Sequence, residues 1–190
     1  HGAGRVPQIG ELDLNAAGVS FTQRGVEVDE HMRSVSNSHV WAAGDAAARG
    51  LPLTPAGILQ ARVVVGNILG RGAPTHNPSW TPSVVFSDPP LAAVGLTAYQ
   101  AQERDLDVRG DLVDTTSWAA SRRAQARVSG AKVLIDKQSD LIVGAHLLGY
   151  HADEVINVFA LAMAGRVTSA ELKTVVWAYP TAGADIVYLL

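Results

Sequence analysis

An acidic residue at the end of an apolar segment is the first candidate for chemistry in this chain. Residues 39–43 predict a buried strand, and Gly44 and Asp45 end it. Glycine admits close ligand approach, and a carboxylate at a strand end can accept hydrogen bonds from sugar-like hydroxyls. The pattern predicts a ligand contact at Gly44 and Asp45, although a plain turn has the same sequence.

A helix start follows this acid nine residues later. Thr54 suits an N-cap, and Pro55 is tolerated at the first helical position. Such an end presents free backbone N–H groups and a partial positive charge of about half a unit. It can stabilise a developing anion, and an ordinary capped helix is the alternative interpretation.

Composition excludes several classes of function. The 190 residues carry a net charge of −3 and no cysteine, which argues against nucleic-acid binding and excludes disulfides or a thiol nucleophile in this chain. No apolar run reaches the roughly 18 residues of a membrane span, and the scattered histidines predict no metal site. We expect a cytoplasmic protein. Because the chain starts with neither a signal peptide nor methionine, we expect a piece of a longer protein.

The remaining elements predict two parts. The proline-containing segment 72–82, with Pro74, Pro78 and Pro82, is the linker candidate. Beyond it, strands are predicted at 83–86 and 91–95, with a helix from Thr97 to about residue 104. Residues 131–136 and 141–148 predict an antiparallel hairpin. A helix over 152–165 and a capping box from Thr168 complete an α+β domain.

Eight segments of the chain occur in an order and at spacings that match those of one protein family. They are residues 4–7, 25–29, 40–46, 53–55, 84–89, 93–97, 141–146 and 152–156. Together they span nearly the whole chain. In this respect the chain resembles the pyridine nucleotide-disulfide oxidoreductases, which include glutathione reductase, dihydrolipoamide dehydrogenase and mercuric reductase.

The resemblance implies a flavin site in the first part of the chain. Residues 1–76 would be the tail of a Rossmann-like α/β FAD/NAD(P)-binding domain. Asp45 would hydrogen-bond the ribityl chain of FAD, with Gly44 and Ala46 in the same turn. Leu53, Thr54 and Pro55 would place a helix N-terminus at the pyrimidine side of the flavin.

The resemblance also implies partners. Residues 80–190 would be a homodimerisation domain whose C-terminal segment completes the partner's active site. NADPH or NADH would donate electrons to a small-molecule acceptor. The family's Gly-rich motif, redox-active cysteine pair and nicotinamide motif precede the region covered here. The chain alone is therefore expected to be inactive, and a purely structural dimerisation module is the alternative.

The C-terminal segment departs from the family pattern. Tyr179 stands where the disulfide reductases usually have histidine, and Ala184 stands where they have glutamate. Asp185 comes one position late and is expected to face solvent. Because a phenol is a poor base near neutral pH, Tyr179 would donate a hydrogen bond or shape a pocket, or serve only as an interface residue. The departure weakens the case for glutathione or dihydrolipoamide as the substrate, and a parent enzyme that reduces a non-disulfide acceptor, mercuric ion or a quinone, is the alternative.

Overall fold

The computed structural model describes residues 4–72 and 75–190. These residues form two compact units that divide between Pro78 and Ser79. Pro74, which belongs to the predicted linker, lies outside the described residues, as do the first three residues of the chain. No helix of the described chain is long and apolar enough to span a bilayer.

The first unit contains little regular structure besides one long helix. Strand β1 (Phe21–Thr22) pairs antiparallel with β2 (Gly25–Val26). A 3-10 turn spans Gly44–Ala46, and helix α1 spans Thr54–Ile68. Met32, Ala47 and Val63 form a small core. This core fixes the turn and the helix within one unit.

Two strand predictions in this unit are wrong. The segment 39–43 is not a strand: Trp41 makes one isolated bridge to Arg33, and residues 40–43 are only half-buried. The sequence also predicts a brief exposed strand over residues 25–29. The observed strand covers only Gly25–Val26, and both residues are buried. A ladder needs a neighbouring strand along its whole length. Beyond the β1–β2 pair, Val28 and Trp41 make only isolated bridges, to Ser34 and Arg33.

The second unit is built on an antiparallel sheet. Its strands are β3 (Ser83–Val85), β4 (Leu91–Gly95), β5 (Val108–Arg109), β6 (Leu112–Asp114), β7 (Gly130–Asp136) and β8 (Ile142–Leu148). The order is β3-β4-β8-β7-β5, and β6 also pairs with β7. The predicted hairpin is confirmed as β7 and β8, and the α+β class of this domain is confirmed with it.

Short helices follow the strands. They are α2 (Ala98–Glu103), α3 (Ala119–Arg123), α4 (Ala152–Ala164) and α5 (Ser169–Lys173), and 3-10 segments occur at Pro78–Trp80 and Ala184–Tyr188. Both N-caps predicted in this second unit are confirmed: Thr97 and Thr168 each form a complete capping box. The strands β5 and β6 and helix α3 were not predicted, because two- to five-residue elements carry almost no periodicity.

Helix α4 covers one face of the sheet. Ile156 and Phe159 are fully buried and belong to one core with Val94, Val133 and Ala145. The opposite face carries a cavity of about 430 Å³ whose lining includes Leu91, Leu112, His146 and Leu148. The hydrophobic contacts of α4 with one face therefore supply most of this unit's core.

A polar cluster ties the hairpin turn to α5. The carboxylate of Asp140 accepts hydrogen bonds from Ser169 Oγ at 2.7 Å and from the Ala170 amide at 2.9 Å. It also accepts one from Arg109 Nη2 at 2.8 Å. These donors, led by Ser169, lower the pKa of Asp140 to about 2. Donors aimed at a carboxylate favour its charged form.

We expect Phe159→Ala to lower the free energy of unfolding by about 3–5 kcal/mol, because it removes a large, fully buried ring. Urea denaturation followed by circular dichroism measures the change. Leu161→Ala on the same helix is the matched control, since Leu161 is 73% exposed, and its loss should stay within about 0.5 kcal/mol. Equal losses for the two variants would contradict this account of the core.

Acid should destabilise the second unit through Asp140. Because its folded-state pKa is lowered from 3.8 to about 2, its contribution is present above pH 3.8 and is lost as the pH falls towards 2. We expect Asp140→Asn to reduce this loss of stability, measured as the melting temperature between pH 5 and pH 2. The exposed Asp111 provides the control variant, Asp111→Asn, which should keep the wild-type pH profile.

Candidate functional site

The Gly44–Asp45 pair lies in a tight turn and not at the end of a strand. Gly44 has a left-handed φ of +63°, which explains the glycine. The Ala47 amide donates to the Gly44 carbonyl at 3.0 Å and closes the turn. The Asp45 side chain is 48% exposed and pairs with Arg5 at 3.4 Å. The carboxylate is thus presented to solvent at the surface of the unit.

A buried glutamine holds this turn against α1. Gln60 is 1% exposed. Its Oε1 accepts from the Gly44 amide at 2.7 Å, and its Nε2 donates to the Arg49 carbonyl at 3.0 Å. Sequence analysis did not identify Gln60, although a polar amide among the apolar residues of this helix was a usable signal. One side chain therefore fixes both ends of the segment between Gly44 and Arg49.

Two glycines bring the turn and the helix into close contact. A Cβ placed on Gly57 would lie 3.2 Å from the Cα of Gly44, tighter than ordinary van der Waals contact. Position 57 is in the first turn of α1, so the structure places Gly44 next to the helix end that the sequence singled out. The two predicted halves of the site thus belong to one local arrangement.

The start of α1 differs from prediction by one residue. Leu53 is the N-cap, so Thr54 and Pro55 are the first two helical residues, and no side chain caps the helix. The expected capping role of Thr54 is therefore wrong. Thr54 and Pro55 are both exposed. An uncapped helix N-terminus leaves backbone donors for solvent or a ligand.

A cleft of about 200 Å³ opens beside Asp45. Its lining residues are Arg5, Val6, Pro7, Gln23, Arg24, Gly44, Asp45, Ala47, Arg49, Gly50, Leu51 and Pro52. Of the predicted flavin contacts, Gly44 and Asp45 line this cleft. The others, Ala46, Leu53, Thr54 and Pro55, do not, although each lies within three residues of a lining residue in the chain. Sequence analysis also missed the arginines at positions 24 and 49.

The C-terminal segment exposes the phenol of Tyr179, which is 77% accessible. Arg123 Nη1 donates to the neighbouring Pro180 carbonyl at 3.1 Å, and the Thr181 hydroxyl donates to the Ala178 carbonyl at 2.6 Å. These bonds hold the backbone on either side of Tyr179. The segment is therefore fixed while the ring remains in solvent.

Asp185 does not face solvent, contrary to expectation. It is half-buried and lines a cavity of about 50 Å³ together with Trp118, Ser121 and Leu189. Burial raises the pKa of the Asp185 carboxyl, because a low-dielectric environment disfavours its charged form. Across residues 4–72 and 75–190, no three His, Asp or Glu side chains are placed to hold a metal ion.

The second unit matches a known domain family. A family model described as the pyridine nucleotide-disulphide oxidoreductase dimerisation domain matches residues 81–189. Among solved structures, LpdA from Mycobacterium tuberculosis superposes with a TM-score of 0.83 at 24% identity, covering 97% of this chain and 40% of that one. This likeness establishes the fold.

Curated relatives extend the match to the whole chain. A protein described as an uncharacterized 19.7 kDa protein in a mercuric resistance operon of Staphylococcus aureus is 38% identical, covering 94% of this chain and 100% of that protein. Glutathione reductase of Burkholderia cepacia is 32% identical, covering 98% of this chain and 41% of its own length. Dihydrolipoyl dehydrogenase of Bacillus subtilis is 31% identical, covering 95% of this chain and 38% of its own length.

The chain thus spans about two fifths of the two enzymes but the full length of the staphylococcal protein. The family match covers 81–189, most of the second unit, with its antiparallel sheet and α4. The relatives align through the first unit as well. The chain belongs to the pyridine nucleotide-disulphide oxidoreductase family, and its second unit is that family's dimerisation domain.

Proposed function

We propose that this chain is part of an FAD-dependent, NAD(P)H-using oxidoreductase. Residues 1–76 supply flavin contacts as the closing portion of the FAD/NAD(P)-binding domain, and residues 80–190 supply the homodimer interface. The observation that carries the proposal is the Gly44–Asp45 turn, held by Gln60 against the uncapped start of α1.

The residues around this turn fit a flavin nucleotide. The carboxylate of Asp45 is half-exposed and forms an ion pair with the exposed side chain of Arg5. It is free to accept hydrogen bonds from ribityl hydroxyls. Gly44 has no side chain to obstruct the approach of a ligand. Ala46 completes the turn and so holds Gly44 and Asp45, which line the cleft, in position beside the ligand.

The start of α1 provides the second contact. Leu53, Thr54 and Pro55 form a helix start without a side-chain cap, where the helix dipole favours negative charge. Pro55 has no N–H and the Leu53 amide donates to the Leu51 carbonyl at 2.8 Å, so Thr54 is the one of the three that offers its amide to a ligand. A reduced flavin carries such charge on its pyrimidine side. FAD, when bound, accepts a hydride from NADPH or NADH and passes electrons to an acceptor. The chain's own residues bind and orient it.

The identity of residue 179, a tyrosine, is the basis of our proposal for the electron acceptor. An exposed phenol can donate a hydrogen bond or shape a pocket, but it is a poor base for thiol chemistry near neutral pH. A quinone or a metal ion is therefore favoured over a disulfide. The similarity to a protein of a mercuric resistance operon supports mercuric ion as the acceptor of the longer protein.

A second candidate function is that of a dimerisation module without catalysis. The matched domain is a dimerisation domain. The C-terminal segment exposes Val176, at 97%, close in sequence to Tyr179. Large apolar side chains exposed together mark protein–protein contacts. This function would operate in the chain alone, whereas hydride transfer needs the parts of the family's fold that the chain does not contain.

Replacing Asp45 tests the flavin contact. We expect Asp45→Asn to weaken FAD binding about 10- to 100-fold, because one hydrogen bond to a charged group contributes about 1.5–3 kcal/mol. The measurement is quenching of flavin fluorescence on titration, in the protein purified with its full natural sequence. Glu30→Gln, an exposed acid outside the cleft, is the matched control. A protein that carries no flavin and binds none would contradict the proposal.

Light scattering after size-exclusion chromatography tests the homodimer. We expect a mass twice the 20.0 kDa of the chain. Val176→Asp should shift the protein to monomer, because it places a charge in the apolar contact. Val6→Asp is the control, since Val6 is 83% exposed but lies outside the dimerisation domain. A strict monomer at high protein concentration would exclude the dimer.

A further inference from the structure

Helix α3 contacts the C-terminal segment at two points. Trp118, the N-cap of the helix, meets the ring of Tyr188 edge-on, and the two ring centroids are 5.9 Å apart. Arg123, the last residue of the helix, donates from Nη1 to the Pro180 carbonyl at 3.1 Å. Between these points the helix and the segment line a common cavity of about 50 Å³. The short helix therefore holds both ends of the stretch from residue 180 to residue 188.

Helix α3 is held by the sheet independently of this segment. It connects β6 to β7, which pair with each other. Near the two ends of this connection, Thr115 and Ser129 are buried, and their hydroxyl groups share a hydrogen bond of 2.6 Å. The Ala126 amide donates to the Ser121 carbonyl at 2.9 Å just beyond the helix. None of these bonds involves the C-terminal segment, so Arg123 comes from a support that is already fixed.

Tyr179 and its neighbours have few bonds of their own. Within the described chain, the backbone amides of residues 176–179 have no hydrogen-bond acceptor. The ring of Tyr179 is largely in solvent and cannot fix its own position. The bond from the Thr181 hydroxyl to the Ala178 carbonyl closes a turn inside the segment. It does not attach the segment to a neighbouring strand or helix.

Two side chains attach this stretch to the rest of the unit. Trp177 packs against the hydrophobic core, a contact that is not directional. Arg123 supplies the directional contact: among the described side chains of other elements, it is the one that hydrogen-bonds residues 175–183. A guanidinium keeps its charge in a protein, and bonds from charged donors are stronger than neutral ones. Arg122, next to it on the same helix, is exposed and makes no such bond within the described chain.

We propose that Arg123 is a positioning residue for Tyr179. By holding the Pro180 carbonyl, it fixes the backbone that immediately follows the tyrosine. The phenol is then presented from one direction to a second copy of the chain and to the electron acceptor there. This role rests on the proposed function, in which the C-terminal segment forms the homodimer contact, and it adds the residue that orients that segment.

The chain contains no cysteine, so a single spin label can be attached at a chosen position. In the full 190-residue chain carrying Tyr179→Cys and a nitroxide, electron paramagnetic resonance measures how freely position 179 moves. We expect Arg123→Gln to raise the mobile fraction of the label about tenfold, because one hydrogen bond from a charged donor shifts an equilibrium by about that factor. Arg122→Gln should leave the spectrum unchanged. Arg123→Lys keeps a charged donor and should restore part of the order.

A label introduced through Tyr99→Cys separates positioning from a general loss of structure. Tyr99 is on α2 and is 67% exposed, and a label there should not respond to Arg123→Gln. The melting temperature followed by circular dichroism should fall by no more than about 4 °C. Mobility at position 179 that Arg123→Gln leaves unchanged, or that rises equally at positions 99 and 179, would overturn the proposal.

Pulsed distance measurement between the two labels of a dimer tests the same role at the interface. One narrow distance is expected for position 179, and Arg123→Gln should broaden the distribution. A monomeric mass by light scattering, with no coupling between labels, would refute the homodimer; a label that Arg123 still immobilises in that monomer would support the positioning role. A dimer whose distribution is broad whatever residue stands at position 123 would refute the positioning role and leave the homodimer in place.

Discussion

The buried amide of Gln60 is the interaction on which the first unit's site depends. Its oxygen and nitrogen bond the backbone at Gly44 and Arg49, so the six residues from Gly44 to Arg49 take their position from one helix. Hydrophobic residues at position 60 could fill the space but would leave a backbone donor and acceptor unsatisfied in the interior, at a cost of about 1–3 kcal/mol each. The position of Asp45 therefore follows from polar bonding to α1 and from one bridge between Val26 and Ala47, and not from a continuous strand ladder.

The same amide also fixes the backbone of Arg49, one of the charged residues that line the neighbouring cleft. Because Gln60 binds the Arg49 carbonyl, the Arg49 side chain is directed by a fixed backbone, and its Nε becomes buried. Asp45 is half exposed and pairs with Arg5. A paired carboxylate repels an incoming anion less than a free one. One cleft therefore combines an acceptor of hydroxyl hydrogen bonds with the guanidinium groups of Arg24 and Arg49.

Local signals in the sequence predicted the second unit well. Strand β4 has the predicted bounds, 91–95, and the hairpin and both capping boxes follow from residues within a few positions of each other. The first unit depends on contacts between distant positions: Gln60 reaches back 16 residues to Gly44, and the cleft arginines come from positions 5, 24 and 49. Neither of these arrangements produces a periodic pattern in the sequence. The segment 39–43 is apolar enough for a strand, but pattern alone could not show which neighbours it has.

The C-terminal segment combines fixed backbone with exposed apolar side chains. Hydrogen bonds at Pro180 and Thr181 order the chain around Tyr179, and ordering a residue costs about 1–2 kcal/mol of conformational entropy. Within the unit that cost is not offset by burial, since Val176 and Tyr179 remain largely in solvent. A surface that is already ordered loses little further entropy when a second copy covers it. An ordered surface with exposed apolar side chains is what the proposed dimer contact requires.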